Sequence, residues 1–312
     1  MLHRTVIVGL SLCGALSFLV GSVSAQIAGA VESEPALLHH SLKVILDPQN
    51  QSLSVEDTVT LPDSMLASPL NFSLNSNLRI TNNPRLLQAV AADTQADLPG
   101  INNTGGLAAA TTTYSISLGR RNSNQLVLIY SGTIFDTAEQ TSAEYAQSFA
   151  QSSGIISKQG VYLNKGSVWV ADFGSDLISF DVQVEFADSA SSWTAVSQGD
   201  RLDDNGWQSD QPMEEVYLIA ANFTEYSQQA DDVEVLAYLR TPDPNLATKY
   251  MDATGRYLAL YEPLLGEYPY SKFALIENFW ETGYGMPSFT LLGEQVIRFP
   301  FILESSYPHE IL

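Results

Sequence analysis

Residues Leu38–Leu61 read LHHSLKVILDPQNQSLSVEDTVTL. Leu42, Val44 and Leu46 alternate with polar neighbours, Asp47-Pro48-Gln49-Asn50 supplies a turn, and Leu53, Val55, Val59 and Leu61 answer it. Successive side chains of a strand point to opposite faces, so this period of two predicts an antiparallel hairpin with one buried face. Working outward, similar signals recur at Tyr114–Leu118, Leu126–Tyr130, Gly160–Leu163, Ile178–Phe186, Val216–Ala220 and Val233–Leu239, with turn residues between them. The run Thr141–Ser152 reads as a short helix at most. Ala92–Ala110, rich in Gly, Ala, Asn and Thr, reads as a surface loop.

The period changes after Arg240. Asp243-Pro244 is a helix start, an accepting side chain followed by a proline whose missing N–H costs nothing at the first helical position. Leu246, Tyr250, Ala253, Tyr257, Leu260, Tyr261 and Leu264 then fall on one face at a spacing of 3.6, and Gly266 ends the pattern. Two apolar segments follow, Phe273–Phe279 and Ser288–Leu292, and then Gln295–Leu303. The expected division is a leader at 1–25, a β-rich domain at 26–240 and the beginning of a second domain at 241–312.

The chain has 312 residues, 45% of them hydrophobic and 16% charged, enough apolar side chain for a sizeable core and too much for a disordered segment. Acidic residues number 35 against 14 basic ones, a net charge of −21 that repels a polyphosphate and excludes a nucleic-acid partner. A basic tip (His3, Arg4), an apolar stretch from Val6 to about Gly21 and the small-residue end Ser22-Val23-Ser24-Ala25 read as an export signal cleaved before Gln26. The alternative, an uncleaved anchor, needs ~20 apolar residues, slightly more than are present. A lipid-modified Cys13 is disfavoured by the bulky Leu12 before it. The expected location is periplasmic or extracellular, with no stable membrane association after cleavage. Removal of the leader takes the single Cys with it and leaves 13 basic residues, a charge of −22, so no disulfide can form. Any zinc site must then use imidazole and carboxylate ligands.

His39 and His40 are adjacent in a strand, point to opposite faces and cannot chelate one metal. His309-Glu310 is the first half of the His-Glu-x-x-His pattern, in which two imidazoles one helical turn apart hold zinc and the Glu acts on the bound water. Taken alone the dipeptide is equally a surface pair. Ser305, Ser306 and Pro308 look like a helix start, yet only one turn follows before the apolar Ile311-Leu312, and isolated turns do not hold. The chain is therefore expected to be a fragment. Glu277, Glu281, Glu294, Glu304 and Glu310 could pair for glycoside hydrolysis, but the carboxyl separation that decides this is not in the sequence. Tyr268, Tyr270, Phe279, Trp280 and Tyr284 could line a cleft or fill a core.

Taken together, Leu246–Leu312 resembles the gluzincin metallopeptidases of the alanyl aminopeptidase and leukotriene hydrolase type. The resemblance rests on the order of a β-rich region, Tyr268-Pro269-Tyr270-Ser271-Lys272-Phe273, Gly283-Tyr284-Gly285-Met286 and Pro308-His309-Glu310. Gly160-Val161-Tyr162-Leu163-Asn164 and Trp169 resemble, more loosely, the β-domain strand that faces the family's cleft. The resemblance implies an α+β fold, a β-rich amino-terminal sandwich or saddle domain followed by the start of a thermolysin-like catalytic domain. It implies an exported zinc metallopeptidase truncated inside its zinc helix, with one Zn2+ in the full-length parent and a peptide as substrate. His309 would be a metal ligand, Glu310 the catalytic base, and Gly283, Gly285 and Met286 the edge that takes the substrate by strand addition. Pro287 and Ser288 stand where the family has Glu and Asn. The resemblance thus carries over no amine-binding carboxylate from that motif, and the preference for free amino termini is expected to be lost. The alternative reading is a non-enzymatic exported β-sandwich binding protein. Oligomeric state is not written in the sequence.

Overall fold

The structure is a computed structural model and describes residues 36–66, 69–82, 87–93, 108–116, 123–137, 139–140 and 150–312. The expected leader, most of the expected loop at 92–110 and the run at 141–149 lie outside these. Residues Ala36–Leu312 form one compact unit.

The opening hairpin is present as Leu38–Asp47 and Ser52–Thr60, paired antiparallel with Val44 opposite Val55. Asp47 closes its turn by accepting from the Asn50 backbone N–H and side-chain amide. These strands lie inside a seven-stranded sheet ordered Asp200–Asp203, Gly206–Met213, Ile178–Phe186, Leu38–Asp47, Ser52–Thr60, Gln125–Thr133, Leu78–Ile80. Leu38–Asp47 and Ile178–Phe186 run parallel, Leu42 opposite Val182, while the other pairings are antiparallel. The alternate residues Leu42, Val44, Leu46, Val55, Val59, Val182 and Val184 are all buried, as the period of two requires. A four-stranded sheet, Gly154–Ser157, Gly160–Leu163, Leu218–Ala221 and Thr194–Val196, belongs to the same part of the chain. Polar strands such as Gly206–Met213 and Thr224–Ala230 carry too little apolar periodicity to have been expected.

The next sheet runs through position 240, where a domain boundary was expected. Its order is Thr224–Ala230, Val233–Leu239, Lys272–Asn278, Phe289–Gly293, Gly283–Met286. Val233–Leu239, Lys272–Asn278 and Phe289–Gly293 are parallel neighbours, so the helix α1, Pro244–Leu265, is the crossover of a β-α-β unit. A strand covered on both faces cannot alternate. Lys272–Asn278 and Phe289–Gly293 are buried at every residue, which is why they read in the sequence as continuous apolar runs.

Helix α1 begins and ends as its sequence directs. Asp243 accepts from the Leu246 backbone N–H at 3.0 Å, and Gly266 closes the helix at φ +100°. The buried face is rotated from the expected one. It consists of Ala247, Tyr250, Met251, Ala253, Thr254, Tyr257 and Leu258, while Leu260 and Leu264 are 54% and 72% exposed. The small Ala247 and Thr254 are fully buried on this face. Among the described residues, no helix is long and apolar enough to cross a membrane.

Candidate functional site

Gly283–Met286 is the last strand of its sheet and pairs on one side only, Gly283 with Leu292, Tyr284 with Leu291, Gly285 with Thr290 and Met286 with Phe289. Among the described residues no further strand pairs with its other edge, and such an edge is a place where an extended peptide can add as a strand.

Against this edge lies α2, Tyr307–Ile311, the short turn that carries His309 and Glu310. In isolation it would fray, but tertiary contacts hold it. Tyr307 is fully buried, its ring meets Tyr250 edge-on at 4.7 Å, and its hydroxyl is 2.6 Å from Thr254 Oγ1. Three further hydroxyls on α1 hold the approach to α2. Tyr250 Oη donates to the Ile297 carbonyl at 3.0 Å, Tyr257 Oη to the Leu303 carbonyl at 3.0 Å, and Tyr261 Oη to the Pro308 carbonyl at 3.1 Å. The expectation that the last turn frays took account of the helix alone and missed these anchors.

The consequence is a contact between Glu310 and Gly285. A methyl group on Gly285 would lie 2.6 Å from Glu310 Oε2 and 3.9 Å from Glu310 Cα, so the absence of a side chain at Gly285 lets the carboxylate reach the strand. Glu310 is half-buried, and burial pushes its carboxyl above the usual range, with His309 opposing. His309 is exposed. Met286 turns its side chain into the core and can offer a substrate only its backbone. Gly283 lies at the start of the same edge.

An aromatic patch adjoins the edge. Tyr162, from the strand Gly160–Leu163, meets Trp280 edge-on at 5.2 Å and lies 6.2 Å from Tyr284, while Phe279 packs on Trp280 at 4.6 Å. A methyl group on Gly160 would collide with the Phe279 ring. The loose match at Gly160–Asn164 therefore does face the aromatic segment. Trp169 does not: it is a core residue whose indole N–H donates to the Val216 carbonyl. Tyr268 and Tyr270 pack on each other and Tyr268 on Phe273, away from this patch.

The acidic residues of the last forty positions separate by role. Glu277 is buried, pairs with Arg298 at 2.7 Å and accepts from the Arg240 and Thr241 backbone N–H groups, so it is spent on structure. Glu281 accepts from the Gln295 N–H through Oε1, while its buried Oε2 has no hydrogen-bond partner. Glu304 pairs with Arg256. Glu215 was missed in the sequence. It accepts from the Lys165 N–H and from Tyr217 Oη, burial pushes its carboxyl up, and its charge helps burial and Tyr284 to raise the Tyr162 phenol. Only the paired acids Glu214-Glu215 before an apolar strand could have hinted at it. His39 and His40 lie elsewhere, on opposite faces as expected: His39 bonds Ser179 and Asp181, and His40 bonds the buried Asp57 at 2.9 Å.

Zinc requires three or four protein donors in tetrahedral array. Among the described residues no group of three His, Cys, Asp or Glu is placed to hold a metal. His309 alone is not a site.

No known family profile matches the chain, and no curated protein matches it in sequence. Solved structures do. Native yeast LTA4 hydrolase superposes with a TM-score of 0.55 at 14% identity, over 88% of this chain and 43% of that one. The same yeast enzyme in complex with bestatin gives 0.56 at 12%. A mutant M1 zinc metallopeptidase from Deinococcus radiodurans, bound to a Tyr-Ser-Ala substrate, gives 0.55 at 14%, over 88% of this chain and 63% of that one. The chain spans less than half the length of the yeast enzyme and under two thirds of the bacterial one. Over 88% of its length the chain has the β-rich fold of the amino-terminal part of LTA4 hydrolase and the M1 zinc metallopeptidases.

Proposed function

We propose that the chain is part of an exported zinc-dependent metallopeptidase and supplies the substrate-binding edge, one metal ligand and the base for peptide-bond hydrolysis. The observation that carries this reading is the placement of the Glu310 carboxylate against Gly285 on an open sheet edge, with His309 next to it on the same turn. A peptide added along Gly283–Met286 would bring a carbonyl past Glu310. A half-buried carboxyl with a raised pKa is suited to taking a proton from an attacking water and returning it to the leaving amine. When bound, zinc would polarise that water and the scissile carbonyl. His309 would be one of its ligands. The rest of the ligand set is missing from the described residues.

Specificity follows from the same residues. With Pro287 and Ser288 after Met286 and Glu277 spent on Arg298, the carboxylates near the edge and patch besides the proposed base Glu310 are Glu281 and Glu215. Neither belongs to the edge strand, so a free amino terminus gains little there. A chain extended beyond Leu312 should hydrolyse a peptide and its acetylated form at similar rates, and Glu310→Gln should abolish both activities. A strong preference for the free amine, or full activity in the Gln variant, contradicts the assignment. Export rests on residues 1–25: amino-terminal sequencing of secreted protein should begin at or near Gln26, and an intact Met1 contradicts it.

A further inference from the structure

Lys272 opens the central strand of the five-stranded sheet and is 1% exposed. Its Nζ donates to Ser288 Oγ at 2.7 Å and to the Ser288 carbonyl at 3.3 Å, and it lies 4.9 Å above the Trp207 ring and 5.7 Å from that of Phe289. Burying an ammonium is costly, and an apolar side chain of equal size would fill the space at less cost. The partners show what the amine does. Ser288 follows Met286-Pro287 in the turn before the return strand Phe289–Gly293, and it adopts φ +67°, the left-handed region that disfavours a side chain. Its Oγ also accepts from the Gly199 N–H at 3.1 Å, and its carbonyl from the Ala274 N–H at 3.1 Å. Gly199 and Asp200 adjoin the edge of the large sheet, and Asp200 accepts from Ser271 Oγ, next to Lys272. Trp207 is in that sheet as well, anchored by its indole N–H to the Ala195 carbonyl.

We propose that Lys272 is a positioning residue for the candidate substrate edge, tying the strained Ser288 turn to the large sheet so that Gly285 and Met286 are held at a fixed place beside Glu310. The interest of this placement for peptide binding rests on the reading above. The mechanical coupling does not.

The coupling has a pH signature. Burial lowers the Lys272 amine to about 7. Asp200 and Glu234 favour its ammonium form and Arg201 opposes it, while Trp207, Phe289 and Ser288 present no titrating group. Any opening that wets Lys272 returns it toward the ordinary lysine value of 10.5. The open state therefore binds a proton that the closed state lacks between about pH 7 and 10.5. Opening becomes harder as pH rises through that window and is independent of pH below it.

Amide hydrogen exchange on the 312-residue chain tests this without zinc or peptide, so its outcome is separable from that of the peptidase reading. After correction for intrinsic rates, protection of Gly283–Met286 relative to Ile178–Phe186 should rise between pH 7 and 9, by at most about tenfold per unit. Lys272→Met should abolish the rise. Ser288→Gly suits the positive φ, yet removes the Oγ that Lys272 and the Gly199 N–H share, and should lower protection of the edge about tenfold with the large sheet unchanged. A flat profile in the natural chain, a natural profile in the Met variant, or an edge as protected in the Gly variant as in the natural chain would each overturn the proposal.

Discussion

Gly285 matters for what it lacks. Its Cα–H face is where the Glu310 carboxylate rests, and no side chain fits between them. Gly285→Ala should swing the Glu310 carboxylate, the end of a flexible side chain, off the strand at little cost in stability. The melting temperature should hardly move, while in an extended chain peptide hydrolysis should fall sharply. A large drop in melting temperature, or hydrolysis that is unchanged, would contradict the placement of Glu310 against the strand. Single residues were legible in the sequence where their chemistry is local. Asp243 as a cap, Gly266 as a stop and the opposed faces of His39 and His40 need only their neighbours. Lys272 and Ser288 were not legible as a pair, because the partners that make a lysine bury itself are 16 residues away and across a sheet. Trp169 was placed with the cleft on a weak match and lies in the core, since an indole reads the same in either setting until its N–H finds a partner.

At the level of elements, period two was sufficient where one face meets the core and the other meets water, as in the opening hairpin and Ile178–Phe186. It failed in two ways. Strands covered on both faces, Lys272–Asn278 and Phe289–Gly293, show apolar runs without a period. The polar strand Thr224–Ala230 shows no run at all, and its membership of the second sheet was invisible. The change of period at Arg240 is real, from strand to helix, and the helix is a crossover between parallel strands of one sheet. The rotated face of α1 has the same origin, since sequence spacing gives the stripe and the sheet beneath chooses its centre. The tyrosines of that helix do more than pack: through the Ile297, Leu303 and Pro308 carbonyls they fix the segment that presents α2. The start of α1 is therefore predicted to matter at a distance. Asp243→Ala removes one capping bond and should cost about 1 kcal/mol, seen as a lower melting temperature. A change below a few tenths of that would show that Pro244 and the parallel strands alone fix the helix start.

At the scale of the molecule, the order of elements places an open strand edge, an aromatic patch and a turn carrying His309-Glu310 side by side from segments far apart in sequence. The resemblance carried by Tyr268–Phe273, Gly283–Met286 and Pro308–Glu310 agrees with the fold shared with LTA4 hydrolase and the M1 zinc metallopeptidases, although identity there is only 12–15%. The fold was thus readable from a few motifs in the right order. The proposed metal chemistry is written in the sequence only as its first letters, because a single imidazole is not a binding site. The measurement closest to the central claim is a zinc count by elemental analysis, after dialysis, on the 312-residue chain and on one extended through the next helical turn and a downstream acidic ligand. The account predicts less than a stoichiometric amount in the first and one zinc per chain in the second, with the second falling sharply on His309→Ala. One zinc per chain in the 312-residue form, or an extended chain whose zinc is indifferent to His309, would contradict it.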